Sequence, residues 1–282
     1  PIFWGGLNFS PRGLTMSEDD EVGPRMSWME HLQELRDRAI KAIITVAIII
    51  ACSFTFTIRQ GEINGYLLYY LYPDPFNNIA SLFLKKLQTD LLPPYVKVIV
   101  VTPWDAIIAL FYTSIFLGIS AGMPMIVYQT AKFVAPGLYP HEKRLIVKLM
   151  GPASALFVAG CVFAYIYIIP FTIDFLFRYA IAINLTTFLT IDSFISFILL
   201  FMAAFGLAFE MPIIMVLLTS LEVVDAKFWK DNFIYAFVAM CIFGAVITPD
   251  GSGVTMFMVA GPMIALYWAG YFIASRHKLK IG

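Results

Sequence analysis

Charge is what this chain lacks most. Only 13% of its residues are Asp, Glu, Lys or Arg, against about 25% in soluble domains. His and Cys number three each. His31, His141 and His277 pair with no Cys or carboxylate at metal-ligand spacing, so no metal site is expected. Cys52, Cys161 and Cys241 each fall within a hydrophobic stretch. They read as small apolar residues, not as a disulfide framework. There is no Walker-type phosphate loop, nucleophile elbow or intramembrane His/Glu zinc motif. These absences argue against an ATPase or a hydrolase. No catalytic residue and no cofactor are expected. The net charge is zero, and nothing in it points to nucleic acid.

What is present is apolar surface. Hydrophobic residues make up 60% of the chain, with 26 Phe, 14 Tyr and 5 Trp, and the mean hydropathy is +0.80. That composition predicts an all-α membrane protein whose partner is the lipid bilayer, with aromatic belts at its surfaces. Six transmembrane helices are expected, at about residues 39–58, 104–131, 145–169, 191–221, 233–247 and 254–274. Residues 1–26 read as a mobile N-terminal tail, 27–275 as the membrane domain and 276–282 as a basic C-terminal tail. Ser27 and Glu30 fit a capping box at the start of the first helix. Residues 59–101 read as a long loop. Within it, Ile79, Phe83, Leu87 and Leu91 recur every four residues, which predicts an amphipathic helix on the membrane surface. Pro170 is expected to end the third span. The fifth span, at about 1.5 Å per residue, is too short for a hydrocarbon core of about 30 Å. Six spans put both termini on one side, and that side holds most of the 19 Lys and Arg. The positive-inside rule makes it the cytoplasm.

One charge sits deep in an apolar run: Glu210, within Phe209-Glu210-Met211-Pro212. An acid at that depth costs about 2.5–3.5 kcal/mol on the insertion scale for Asp. It calls for a polar partner, a water-filled cavity or a proton. Gln129, in the second span, is a polar neighbour for other helices or an interfacial anchor. Met123-Pro124, Met211-Pro212 and Gly261-Pro262 echo one another in spans of the same direction, so similar kinks are expected. At the cytoplasmic face, two readings stand for Glu30, Glu34 and Glu142. Glu30 serves the cap, Glu34 pairs with Arg38 and Glu142 complements a helix dipole. Alternatively, these carboxylates bind a basic peptide, for which Arg is the natural partner.

His31-Leu32-Gln33-Glu34-Leu35-Arg36-Asp37-Arg38 resembles a motif of the TatC family, the core subunit of the twin-arginine protein translocase. Tyr128-Gln129, Phe133 through Tyr139 and Glu142 are similar to the family's first cytoplasmic loop. Phe163-Ala164-Tyr165 with Pro170, Phe205-Gly206 through Pro212, and Thr248-Pro249-Asp250 continue the match. The resemblance covers about residues 26–275. It implies a glove-shaped, concave bundle with an outer-side amphipathic cap, in the inner (cytoplasmic) membrane or its equivalent. It implies binding of twin-arginine signal peptides and proton-motive-force-driven export of folded proteins. By it, Glu34 and Glu142 receive the arginines, with Arg36 and Phe133 beside them. Glu210 and Gln129 dock single-span partners of the TatA/TatB type, and Asp250 is a functional outer-loop position. Self-association in a larger complex is also implied. The chain departs from the family pattern where Val254 and Trp268 stand.

A second class of function is a proton-coupled small-molecule transporter with Glu210 as its proton site. Such proteins usually carry inverted repeats, whereas the echo here joins spans of one direction. A third class is a passive membrane scaffold.

Overall fold

The structure, a computed structural model, describes residues 28–63, 66–138, 140–184, 188–248 and 253–278. Its first helix, α1 (Trp28–Thr55), opens with the charged turns and continues into the uncharged run from Ala42. The aromatic and β-branched residues that follow favour extended backbone. There the chain becomes a two-stranded antiparallel ribbon, β1 (Phe56–Ile63) and β2 (Tyr66–Pro73). The register runs from Phe56 opposite Pro73 to Ile63 opposite Tyr66. This corrects the expectation of an all-α chain whose long loop at 59–101 holds an amphipathic helix but no strands. The ribbon depends on pairing between two segments, which helical periodicity does not report.

Helix α2 (Ile79–Leu91) is capped by Asn78, whose Oδ1 accepts from the Ser81 amide at 2.8 Å. The Asn78 Nδ2 donates to the Phe54 carbonyl at 2.6 Å and so ties α2 to the end of α1. The buried face carries Ala80, Leu84, Leu87 and Leu91, while Ile79 and Phe83 are half-buried. The expected stripe is thus rotated by part of a turn. Phe83 stacks on Phe116, with ring centroids 6.1 Å apart, so α2 packs on protein.

Strand β3 (Lys97–Ile99) leads into α3 (Asp105–Val134), which passes through Pro124 unbroken. A short 3-10 turn, Ala135–Gly137, ends it. Next come α4 (Pro140–Phe163), a π-helical turn Ala164–Ile168, and α5 (Ile169–Ala182). The expected stop at Pro170 does not occur: one helical rod runs over Lys143–Ala182. Proline removes an amide donor and crowds the carbonyl four residues back. The widened π-turn lies at that point and absorbs both effects.

Strand β4 (Phe188–Thr190) pairs in parallel with β3. The fourth apolar segment is two helices, α6 (Ile191–Phe209) and α7 (Met211–Ser220). Then follow α8 (Ala226–Asp231), the short α9 (Phe233–Ile247) and α10 (Val254–Lys278), which contains Pro262. Of the three echoed prolines, only the one at 212 stands at a break.

Among the described residues, five helical segments are long and apolar enough to cross a membrane, and α9 is the shorter apolar one. The core centres on α6, where Phe194, Ile195, Ile198, Phe201 and Phe205 are fully buried.

Candidate functional site

Two places gather the polar groups that an apolar chain has to account for. The first is where the start of α1 meets the end of α3. A Cβ built on Gly118 would sit 2.4 Å from Ile50 Cγ1, and one on Gly122 would sit 2.9 Å from Val46 Cγ2. The two helices therefore run antiparallel in close contact, which brings Phe133 of α3 beside the first turns of α1.

There Glu34 is 16% exposed. Its Oε1 accepts from Arg38 Nε at 2.9 Å and from the second guanidinium arm as well. Glu34 and Arg38 are four residues apart, so one helix face presents both. His31 Nδ1 lies 3.7 Å from Glu34 Oε2, beyond hydrogen-bond length. The His31 ring stacks on Phe133 with centroids 4.4 Å apart and an interplanar angle of 13°. Glu34 Oε2 is buried and takes no hydrogen bond. A carboxylate half-satisfied in this way is costly unless something else reaches it. A bidentate donor such as guanidinium has the right shape for that oxygen.

Arg36 is not part of this cluster. It is exposed and pairs with Asp37 at 3.0 Å. Its position on the helix, two residues from Glu34, turns it to another face. Below Phe133 a groove of 530 Å³ runs between α1 and α3, lined by Leu35, Arg38, Ala42, Val46 and Gln129 among others. Gln129 is buried there, with its amide 3.8 Å from Met125 Sδ. Glu142 lies in the first turn of α4, but its side chain is outside the described part. Asp250 lies outside the described residues.

The second place is the break between α6 and α7. Pro212 has no amide to donate back to residue 208, so the helical ladder is interrupted. The Glu210 amide instead bonds to the Leu207 carbonyl at 3.1 Å. The Glu210 carbonyl accepts from both Ile213 and Ile214, each at 3.1 Å. The break leaves Glu210 at the joint, 9% exposed, with Oε1 buried and without a hydrogen bond. The sequence asks for a partner to this acid, and within the described residues that oxygen has none. Glu210 makes no hydrogen bond or ion pair with the α1/α3 cluster among the described residues.

Two members of that cluster, His31 and Arg38, carry no site assignment from the sequence. The signal available was spacing alone: His31 is three residues before Glu34 and Arg38 four after it. Stacking on Phe133 needs α3, which spacing within α1 does not contain. A third arrangement went unread: Tyr165, in the π-turn, donates to Asp90 of α2, which also pairs with Lys86 at 2.7 Å. The Lys86 and Tyr165 hydrogen bonds, in that order, hold the Asp90 carboxyl below its usual range.

Against known proteins, the family described as Sec-independent protein translocase protein (TatC) matches residues 30–262. The chain belongs to the TatC family. A TatC protein of Cenarchaeum symbiosum (strain A) is 40% identical over 255 residues, covering 90% of this chain and 97% of that protein. A TatC protein of Aquifex aeolicus (strain VF5) is 32% identical over 260 residues, covering 91% and 99%. A crystal structure of the twin-arginine translocase receptor TatC in DDM superimposes with a TM-score of 0.72 at 31% identity, covering 87% of this chain and 99% of that one. The matched region contains the α1/α3 cluster and the α6/α7 break. This TatC chain is therefore a multi-pass membrane protein of a protein-translocating, transport family.

Proposed function

We propose that this chain is the receptor core of a twin-arginine translocase. Glu34, together with Glu142, receives the paired arginines of signal peptides at the cytoplasmic face, with Phe133 beside them. The single observation that carries this reading is the Glu34 carboxylate. One oxygen is held by Arg38, while the other is buried, free of hydrogen bonds and bordered by the His31–Phe133 stack. A guanidinium from another chain is the donor such an oxygen fits best. Arg36, exposed and paired with Asp37, serves the rim of this site. Both termini are cytoplasmic, α9 forms a sixth, shallow crossing, and the bundle presents a concave face with α2 in its outer cap.

Glu210 and Gln129 dock single-span partners of the TatA/TatB type. The buried, unbonded Glu210 Oε1 supports this, because a polar group on a partner helix can satisfy it. Asp250 serves the outer loop. The assembly sits in the inner membrane, self-associates, and exports folded proteins using the proton motive force.

The test is site-specific crosslinking to a twin-arginine signal peptide in membranes. Glu34→Gln with Glu142→Gln is expected to abolish it. Undiminished crosslinking in an inserted double variant refutes the assignment. The unbonded Glu210 oxygen also favours a second reading, a proton-coupled solute transporter. Solute uptake by reconstituted protein that disappears in Glu210→Gln decides for that reading.

A further inference from the structure

The β1–β2 ribbon has no part in the proposed receptor site, and one of its faces is bare. In an antiparallel pair, residues directly opposite share a face. Ile58 pairs with Leu71, and Gln60 with Tyr69. On that face Ile58, Tyr69 and Leu71 are 54%, 63% and 59% exposed. Its polar atoms satisfy each other, since Gln60 Nε2 donates to the Tyr69 hydroxyl at 2.6 Å. The opposite face is different. Thr57 is buried, and Arg59 lies over the Tyr72 ring at 4.3 Å while pairing with Asp74 at 3.2 Å. Near the base, therefore, charge is confined to one face, where Tyr70 and Tyr72 are 48% and 41% exposed beside it, and the other face carries none.

The depth of α1 says what covers the bare face. The last charge on α1 is Lys41, and the next in the chain is Arg59. The uncharged helical run from Ala42 to Thr55 rises about 21 Å, about 9 Å short of a hydrocarbon core of about 30 Å. The strand residues Phe56, Thr57 and Ile58 follow with no linker. The chain therefore leaves the hydrocarbon within these residues, at about 3.3 Å each, and the base of the ribbon lies at the edge of the core. Helix α3 gives an independent check. Gly118 faces Ile50 and Gly122 faces Val46, so Thr55 is level with about residue 113 of α3. Beyond that level α3 still exposes Ile107 and Phe111, which marks apolar surroundings about 3–9 Å past the end of α1. The base of the ribbon is thus at a depth where α3 still exposes apolar side chains.

We propose that the base of the β1–β2 ribbon is a lipid anchor. It lies in the interfacial layer at the C-terminal end of α1, with Ile58, Tyr69 and Leu71 against phospholipid. Tyr suits that layer because its ring is apolar and its hydroxyl is wet. A two-stranded ribbon cannot sink further, since its outer edges carry unpaired backbone groups that hydrocarbon does not satisfy. A hairpin alone is at best marginally stable, and the lipid contact supplies the missing apolar burial.

The test is photocrosslinking of the full-length protein in its membranes, with a benzophenone amino acid at position 69, 70 or 71. The expected result is a mass shift of one phospholipid at 69 and 71, with little at 70, which faces the other way. Adducts at 69 or 71 to a protein, a second copy of this chain included, overturn the proposal. Absence of lipid adducts at both positions overturns it too, as does equal lipid labelling at all three. If a variant fails to insert, position 58 on the same face takes its place.

Discussion

Gly160 is where α4 passes closest to α6, and it allows a sharp prediction. A Cβ built there falls 2.4 Å from the Phe205 carbonyl oxygen and 2.9 Å from the Gly206 Cα, where ordinary contact begins at 3.4 Å. Both obstacles are backbone atoms of α6, so no side-chain rotation relieves the clash. In Gly160→Ala the helices have to separate by about 1 Å, enough to loosen a close-packed interior. The separation strips contacts from Phe157, Cys161 and Phe205, all buried. Overpacking of this kind costs about 1–3 kcal/mol, which outweighs the roughly 0.5–1 kcal/mol that Ala gains over Gly in a helix. Gly151, on the same helix, has nothing within 4 Å of its built Cβ. Gly151→Ala therefore keeps the helical gain and is neutral to stabilising. The assay is reversible unfolding in mixed detergent–SDS micelles, followed by tryptophan fluorescence. Gly160→Ala unfolds at lower SDS and Gly151→Ala at equal or higher SDS than the parent. Equal stability of the two variants would refute the close crossing of α4 and α6.

Other expectations follow from single contacts. Glu34→Gln removes a charge-assisted bond of about 1.5–3 kcal/mol, so signal-peptide affinity falls about 10- to 150-fold, as titration calorimetry in nanodiscs would report. Asn78→Ala loses both the α2 cap and the donor to Phe54, and costs about 1–2 kcal/mol in the same unfolding assay. Asn78→Asp keeps the cap acceptor but sets a buried carboxylate oxygen against the Phe54 carbonyl, so it costs at least as much. Asp90 has its pKa lowered below 3.8, by Lys86 first and Tyr165 second. Its contribution is therefore full above about pH 4 and is lost as pH falls through the lowered value. In Tyr165→Phe the Asp90 carboxyl rises toward its ordinary range, and hydrogen exchange in α2 accelerates at a higher pH than in the parent. Unchanged exchange in α2 would mean that Tyr165 does not hold that helix.

Much of this protein was legible in its residues. Charge scarcity and long apolar runs dictate a membrane chain, because hydrocarbon admits few charges. The short α9 follows from local composition, whereas the break at Pro212 does not, since Pro124 and Pro262 lie in unbroken helices. The demand of Glu210 for a partner follows from desolvation alone, and the orphaned Oε1 is its structural counterpart. Tertiary structure decided what depends on a second segment. Whether Glu34 meets Arg36 or Arg38 is a matter of helix face, but the His31–Phe133 stack requires α3 to pass alongside α1. Which residues of α2 are buried depends on how α3 and Phe116 receive it, not on its own four-residue step. Pro170 looked like a stop, since a single helix has no way to lose that amide. Neighbouring packing and the π-turn over Ala164–Ile168 carry the rod onward. The ribbon over residues 56–73 appeared as a loop because each strand acquires its hydrogen bonds from the other. Local sequence sets cost and demand along the chain. Pairing between distant segments decides how each demand is met, since hydrogen bonds and close packing need two partners and a sequence window holds only one.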